Sequence, residues 1–129
     1  MKRALIPLAA LPAFAGCDAF MTTEADPNAP ALQVFAGPVF EVSAPLGDAG
    51  DDRRIHCAAA RHAEGTGAAE MNWIAGAQRM ENGEPVSAAY RYFAPSAAGA
   101  PLPEGEIDKV FGGPEPMDRW LRRCAGVAA

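Results

Sequence analysis

The sequence is poor in the residues from which catalytic and metal sites are usually built. It has two histidines and three cysteines among 129 residues, and its only serines are Ser43, Ser87 and Ser96. His56 and His62 are about 240° apart around a helix axis, so they cannot bind one metal ion together. No C-x-x-C pair, G-x-S-x-G motif or glycine-rich phosphate loop occurs. The sequence therefore predicts no metal site, no cofactor and no enzymatic activity.

Basic residues and bulky apolar side chains are also scarce. The chain has 11 basic and 16 acidic residues, a net charge of −5. After the N-terminus the only adjacent basic pairs are Arg53–Arg54 and Arg122–Arg123, so the concentrated basic face that nucleic-acid binding needs is not expected. Half of the residues are hydrophobic, but 29 residues are alanine. Because alanine buries little area, the core is expected to be thin and to gain from a covalent cross-link.

The N-terminus has the order of an export signal. Lys2 and Arg3 precede an apolar run over residues 4–15, which is shorter than the roughly 20 residues that span a bilayer. The run ends in Phe14-Ala15-Gly16-Cys17, which resembles the lipobox of bacterial lipoproteins. The resemblance covers residues 1–17 only. It implies that a signal peptide, residues 1–16, is removed, that the Cys17 thiol carries diacylglycerol, and that its amino group is acylated with a fatty acid such as palmitate.

A second cleavage pattern overlaps the first. The family usually has leucine where this chain has Phe14, and Ala13-Phe14-Ala15 fits the A-x-A pattern of ordinary secretory cleavage. Cleavage there would release a soluble protein that begins at Gly16. The sequence alone leaves both processing routes open, and lipidation of Cys17 is the expected one.

The resemblance also predicts where the protein works and how it is divided. Residues 17–31 are expected to be the lipidated cysteine and a flexible tether, and residues 32–129 a single small domain that faces the periplasm. The lipid bilayer of the cell envelope is thus the expected partner of Cys17. Asp18 resembles an inner-membrane retention signal of enteric lipoproteins, and the outer membrane stays the alternative.

The odd number of cysteines agrees with this assignment. An unpaired thiol in an exported protein needs an explanation, and lipidation of Cys17 leaves Cys57 and Cys124 able to pair in an oxidising compartment. Such a bridge closes a loop of about 68 residues and contributes roughly 4 kcal/mol in the chain-entropy model. Two separate buried thiols are the alternative.

Hydrophobic spacing predicts an α+β domain. A small antiparallel sheet is expected to be built on a hairpin over residues 70–94, whose turn is Asn82-Gly83, and two helices at about 52–64 and 116–125 are expected to pack on it. An interrupted or edge strand is expected within residues 32–44, best formed at 39–44, with Gly37-Pro38 in the middle of the segment. Residues 95–114 are expected to be irregular, with one helical turn near Ile107, Val110 and Phe111.

The same spacing predicts which side chains share a face. In the helices the expected faces are Ile55, Ala58, Ala59 and His62, and then Met117, Trp120, Leu121 and Cys124. In the hairpin they are Met71, Trp73, Ala75 and Ala77, and then Val86, Ala88, Tyr90 and Tyr92. Gly76 is expected at a bulge or a close approach.

Two functions are compatible with this sequence. The first is a non-catalytic interaction or structural role, in which the tethered domain docks on an envelope protein partner. The second is a small periplasmic ligand-binding domain or enzyme, with Trp73, Tyr90, Arg91 and Tyr92 as its binding face; the aromatic members of this set also suit the core. A concave cleft with converging polar groups would favour ligand binding, and a flat apolar patch would favour docking.

Overall fold

The computed structural model describes residues 28–103 and 112–127. These residues contain five strands, one 3-10 turn and two helices. The elements are β1 (Ala31–Val34), β2 (Val39–Pro45), a 3-10 turn (Asp48–Gly50), α1 (Arg53–Gly65), β3 (Glu70–Glu81), β4 (Glu84–Phe93), β5 (Glu115–Pro116) and α2 (Met117–Arg123). All strand pairs are antiparallel, and the sheet order is β1-β2-β4-β3-β5. The predicted α+β class and the two predicted helices are confirmed.

The hairpin of β3 and β4 is the centre of the sheet. Its turn residues Asn82 and Gly83 have φ of 52° and 81°, the left-handed backbone that a two-residue hairpin turn requires and that Asn and Gly adopt at low cost. The pairing runs from Glu81↔Glu84 at the turn to Asn72↔Phe93 at the far end. The hairpin predicted for residues 70–94 is therefore confirmed.

A bulge in β3 makes the predicted alternation of that strand wrong beyond Trp73. The register shifts between Trp73 and Ala75, so that Ala75 lies opposite Arg91 and Gly76 lies opposite Tyr90. Ala75 and Ala77 therefore share the outer face of the sheet with Arg91, and Gly76 takes the face that the helices cover. A Cβ on Gly76 would come within 3.1 Å of the Tyr90 ring, which explains the glycine as a close approach.

The first two strands differ from the single interrupted or edge strand expected within residues 32–44. Gly37, with a φ of 57°, and Pro38 turn the chain between β1 and β2 rather than interrupting one strand. β2 is an inner strand, paired with β1 on one side and β4 on the other, and β1 is the edge. Leu32 and Val34 of β1 remain 48% and 56% exposed.

Both helices pack on one face of the sheet. The buried residues of α1 are Ile55, Cys57, Ala59, Ala60 and Ala63. The predicted α1 face was therefore only half right, because Ala58 and His62 are half-buried at its margin. The predicted face of α2 is confirmed, with Met117, Trp120 and Cys124 buried and Leu121 packed against the core.

The other face of the sheet has a smaller core. Val39, Ile74 and Phe93 form a buried cluster there, against which Ala100 and Leu102 pack. Residues 95–103 and 112–114 contain no helix or strand, as predicted for this loop. The helical turn predicted near 107–111 lies outside the described residues.

A disulfide joins the two helices. Cys57 of α1 and Cys124, which directly follows α2, are bonded with their Cα atoms 5.5 Å apart. No helix within residues 28–103 and 112–127 is long and apolar enough to cross a membrane. The predicted signal peptide, Cys17 and most of the predicted tether lie outside the described residues.

Candidate ligand-binding cleft

The four residues of the predicted binding face do not form one open surface. Tyr90 and Tyr92 are 2% and 0% exposed and lie under the helices. Arg91 lies between them in β4 and therefore points to the outer face, where its guanidinium stacks 4.3 Å from the Phe35 ring centroid. Of the four, only Trp73 is half-buried at the margin of a concave surface.

That concave surface is a cleft of about 540 Å³ formed by α1, β3 and α2 with the loop before β5. Two tryptophans, one histidine and three charged side chains line it: Trp73, Trp120, His56, Arg53, Glu115 and Arg123. The Cys57–Cys124 disulfide also contributes to the lining. These residues come from three separated parts of the chain, and the fold brings them together.

Two larger hollows have a different chemical character. One, of about 640 Å³, lies on the sheet and is lined mostly by alanine and serine side chains. The other, of about 650 Å³, lies beside the loop over residues 95–103; its lining includes Phe40, Phe93, His62 and four prolines, but no Asp, Glu, Lys or Arg among the described residues. Ligand sites combine apolar and aromatic walls with a few placed polar groups. The cleft at Trp73 has that combination, and we name it the tryptophan cleft.

The two tryptophans of the cleft have their polar atoms engaged elsewhere. Trp73 Nε1 donates to the Ala75 carbonyl oxygen at 2.9 Å, and Trp120 Nε1 donates to the Met71 carbonyl oxygen at 2.9 Å. Both bonds end on backbone of β3, so they hold the rings against that strand. The two tryptophan rings therefore contribute apolar carbon surface to the cleft.

Each arginine of the cleft has a carboxylate partner. Arg53 makes a two-pronged contact with Asp51, with Nη2 to Oδ2 at 2.8 Å and Nε to Oδ1 at 3.0 Å. Hydrogen bonds from Arg53 lower the pKa of Asp51 to about 2. Arg123 Nη2 lies 2.7 Å from Glu115 Oε1, and its guanidinium stacks 4.7 Å above the Trp120 ring. The two positive charges are thus compensated beside the cleft.

His56 is held in a hydrogen-bonded network below the cleft. Its Nδ1 lies 2.9 Å from the Tyr92 hydroxyl, and its Nε2 lies 3.5 Å from Asp52 Oδ2. The same Asp52 oxygen accepts a hydrogen bond from the Tyr90 hydroxyl at 2.6 Å. Gln78 in turn donates to the Tyr90 oxygen at 3.2 Å. Asp52 is the residue before α1 and directs its carboxylate to this network instead of capping the helix.

Burial sets the protonation of this network. It lowers the pKa of His56, against an opposing effect of Asp52, and it raises the pKa of Tyr92 well above its usual value. Burial and the bond to Asp52 raise the pKa of Tyr90 to about 12. At neutral pH His56 is therefore uncharged and its Nδ1 accepts a hydrogen bond from the Tyr92 hydroxyl, which leaves its Nε2–H directed at Asp52. Both ring nitrogens are occupied.

The sequence pointed to Trp73 but not to the rest of the cleft. The sequence indicates Trp120 as a core residue and gives His56 no role beyond the metal site that its spacing excludes. The spacing Asp52–His56, one helical turn, is a signal for a paired histidine. That spacing could have indicated His56 as a partner of Asp52. The contact between His56 and Tyr92, however, joins residues 36 positions apart, and such a contact leaves no local pattern in the sequence.

We expect the free energy of unfolding to fall between about pH 7.5 and about pH 5.5. In the unfolded chain the pKa of a histidine is about 6.5, and burial holds the pKa of His56 lower in the folded protein. Well above pH ~6.5 neither state is protonated, and the contribution of neutral His56 is complete. As the pH falls below that value only the unfolded chain binds the proton, so stability is lost. Urea unfolding at the two pH values measures the difference.

The two histidines provide a matched control for this prediction. His56→Gln should lose most of the pH dependence between the two conditions, whereas His62→Gln, which leaves His56 in place, should keep it. A wild-type pH dependence in His56→Gln would show that another group is responsible.

No cluster of three or more His, Cys, Asp or Glu side chains among the described residues is placed to hold a metal ion. His62 packs edge-on against the Phe40 ring, with the two ring centroids 4.6 Å apart. No protein-family model matches this chain, and neither the curated proteins nor the solved structures include a match to it.

Proposed function

We propose that this protein is a lipid-anchored protein of the bacterial envelope, whose periplasmic domain binds a small ligand in the tryptophan cleft without catalysing a reaction. The observation that carries the binding role is the cleft itself, where two tryptophans and three charged side chains meet. The lipobox-like sequence ending at Cys17 supports the anchor. Asp18 favours the inner membrane.

The state of the polar groups supports binding rather than catalysis. Among the described residues that line the cleft, none is a serine or a free thiol, since Cys57 and Cys124 are bonded to each other. Both nitrogens of His56 are engaged by Tyr92 and Asp52. A nucleophile with an adjacent base is what covalent and general-base catalysis require, and such a pair does not line this cleft.

The anchor is tested by Cys17→Ala. We expect the wild-type chain to incorporate labelled palmitate and to fractionate with the membranes, and the variant to do neither. Ordinary secretory cleavage after Ala15 would instead give a wild-type protein that is soluble in the periplasm and unlabelled, and that result would refute the anchor. Separation of inner and outer membranes from the labelled cells then tests the contribution of Asp18.

The cleft is tested through its two tryptophans, which are the only ones in the chain. Each gives one indole N–H signal in a proton–nitrogen correlation spectrum, and both rings line the cleft. We expect some members of a mixed set of neutral, anionic and cationic small molecules to shift these two signals in the full-length chain. If every member leaves both signals unchanged, the cleft is not a small-molecule site and the proposed function fails.

A further inference from the structure

The edge strand β1 has most of the exposed bulky apolar surface of the described residues. Four large apolar side chains are exposed there, and three of them, Leu32, Val34 and Phe35, lie in β1 or directly after it. No described strand pairs with the outer side of β1. Natural sheets protect such edges with charged side chains, prolines or bulges. β1 contains none of these, so its edge is suited to pair with another strand.

The hydrogen bonds between β1 and β2 determine which backbone groups of β1 face outward. Phe35 N–H donates to the Val39 carbonyl oxygen at 3.0 Å, where the two strands meet at their turn. Bonded and non-bonded pairs alternate along an antiparallel ladder, so Gln33 is the next residue of β1 that is bonded to β2. The N–H and C=O groups of Leu32 and Val34 therefore point away from β2, toward the outer edge.

One antiparallel register of β1 with its own copy satisfies all of these outward groups. With Gln33 on a two-fold axis, Leu32 lies opposite Val34 of the partner subunit, and each such pair exchanges both of its backbone hydrogen bonds. A shift of two residues in one direction sets Val34 opposite Pro30, which has no N–H to donate. A shift in the other direction sets Leu32 opposite Ala36, whose carbonyl oxygen is already bonded within the turn.

The side chains of β1 are complementary across the same axis. Leu32 and Val34 lie on the helix side of the sheet, opposite Val42 and Phe40 of β2. The pairing sets Leu32 against the partner's Val34, so both side chains lose contact with water. On the other face Gln33 meets the partner's Gln33, and a carboxamide both donates to and accepts from its own copy. No like charges oppose each other, because β1 has no charged residue.

We propose that β1 pairs with β1 of a second copy of this chain, which joins the two sheets into one continuous antiparallel sheet. The contact is closed, because each copy uses the edge of β1 once. The tryptophan cleft lies toward the opposite edge of the sheet, so the pairing leaves both clefts open and does not depend on the proposed function. Strands of four residues bury less area than a stable dimer needs, so we expect half-dissociation between about 10 µM and about 1 mM.

Cysteine cross-linking tests the register. Gln33→Cys places a thiol on the two-fold axis, where the Cα atoms of a non-bonded pair are about 4.5 Å apart, within the range of a disulfide. Ala31→Cys is the matched control, because at a rise of about 3.4 Å per residue Ala31 lies about 14 Å from its own copy. Both are made in the full-length Cys17→Ala chain in detergent. We expect mild oxidation to give a reducible dimer of Gln33→Cys, and Ala31→Cys to lose that dimer.

Sedimentation equilibrium of the full-length chain in density-matched detergent tests the dimer itself. The average mass of the wild type should rise from one copy toward two between about 10 µM and about 1 mM. Val34→Lys should raise the midpoint at least about tenfold, because it sets an ammonium group against the partner's Leu32. Met80→Lys is the matched control, since Met80 is an exposed apolar residue of β3, and it should dimerise as the wild type does.

Three outcomes would overturn the inference. The wild type stays monomeric at about 1 mM, above the expected midpoint. Val34→Lys associates as strongly as the wild type, which would place the contact elsewhere. Ala31→Cys cross-links as completely as Gln33→Cys, which would exclude the register. Both Val34 and Met80 are more than half exposed, so the lysine variants are expected to keep the fold, and their circular dichroism spectra check this.

Discussion

Replacing Cys57 and Cys124 together by alanine is expected to lower the free energy of unfolding by about 4 kcal/mol. The bridge closes a loop with a sequence separation of 67 residues, and the unfolded chain gains conformational freedom when it is removed. For a domain of this size each kcal/mol corresponds to about 4–8 °C in Tm, so Tm should fall by about 15–30 °C. Thermal unfolding followed by circular dichroism measures the shift.

Reduction provides the control for this experiment. A thiol reductant should lower the Tm of the wild-type protein to near that of the double variant, and it should not change the Tm of the variant. A double variant that melts within a few degrees of the wild type would mean that the helices hold together without the bridge.

The large expected loss of stability without the disulfide follows from the way α2 is attached to the rest of the domain. α2 has seven residues, and a helix that short is not stable alone in water. It therefore depends on its contacts with α1 and β3. On the α1 side, Ala59, Ala60 and Ala63 are fully buried, and small side chains give little apolar area per residue. The disulfide compensates for this thin contact.

Features with a local cause could be predicted from the sequence. The Asn82-Gly83 turn needs only its own two residues to adopt a left-handed backbone. The apolar face of α2 needs only helical spacing, which puts Met117, Trp120 and Cys124 on one side. The hairpin, this helix and the α+β class were accordingly predicted with correct types and nearly correct ends.

Features that depend on distant parts of the chain could not be predicted. The bulge after Trp73 reverses the facing of Ala75 and Ala77 and places Gly76 against the Tyr90 ring of the neighbouring strand. β5 has two residues, too few for a periodic signal. It pairs with Glu70 and Met71, which are more than 40 positions away in the chain.

In the candidate site, too, one residue could be predicted from the local sequence and the others could not. Trp73 could be singled out because an aromatic residue in an alternating strand is conspicuous. The cleft, however, also requires Arg53 at the start of α1 and Glu115, Trp120 and Arg123 near the C-terminus. No spacing rule connects residues 53 and 123, and only the packing of α2 beside α1 brings them to one surface.

Trp120 contributes to that packing, and Trp120→Ala is expected to cost about 3–5 kcal/mol. Trp120 is 8% exposed and packs into the main core. Its Nε1 donates to the Met71 carbonyl oxygen at 2.9 Å, which ties α2 to β3. Because small domains have about 5–15 kcal/mol of total stability, this loss should leave the variant close to unfolding.

A graded series separates the two contributions of Trp120. Trp120→Phe keeps an aromatic ring but removes the N–H donor, and we expect it to cost about 1–3 kcal/mol, because the Met71 carbonyl then lacks its partner. Arg119→Ala, an exposed position of the same helix, should change stability by at most about 0.5 kcal/mol. Urea unfolding followed by far-ultraviolet circular dichroism gives all three values. Equal midpoints for Trp120→Ala and Arg119→Ala would mean that α2 does not dock through Trp120. The cleft that this docking creates would then have no structural basis.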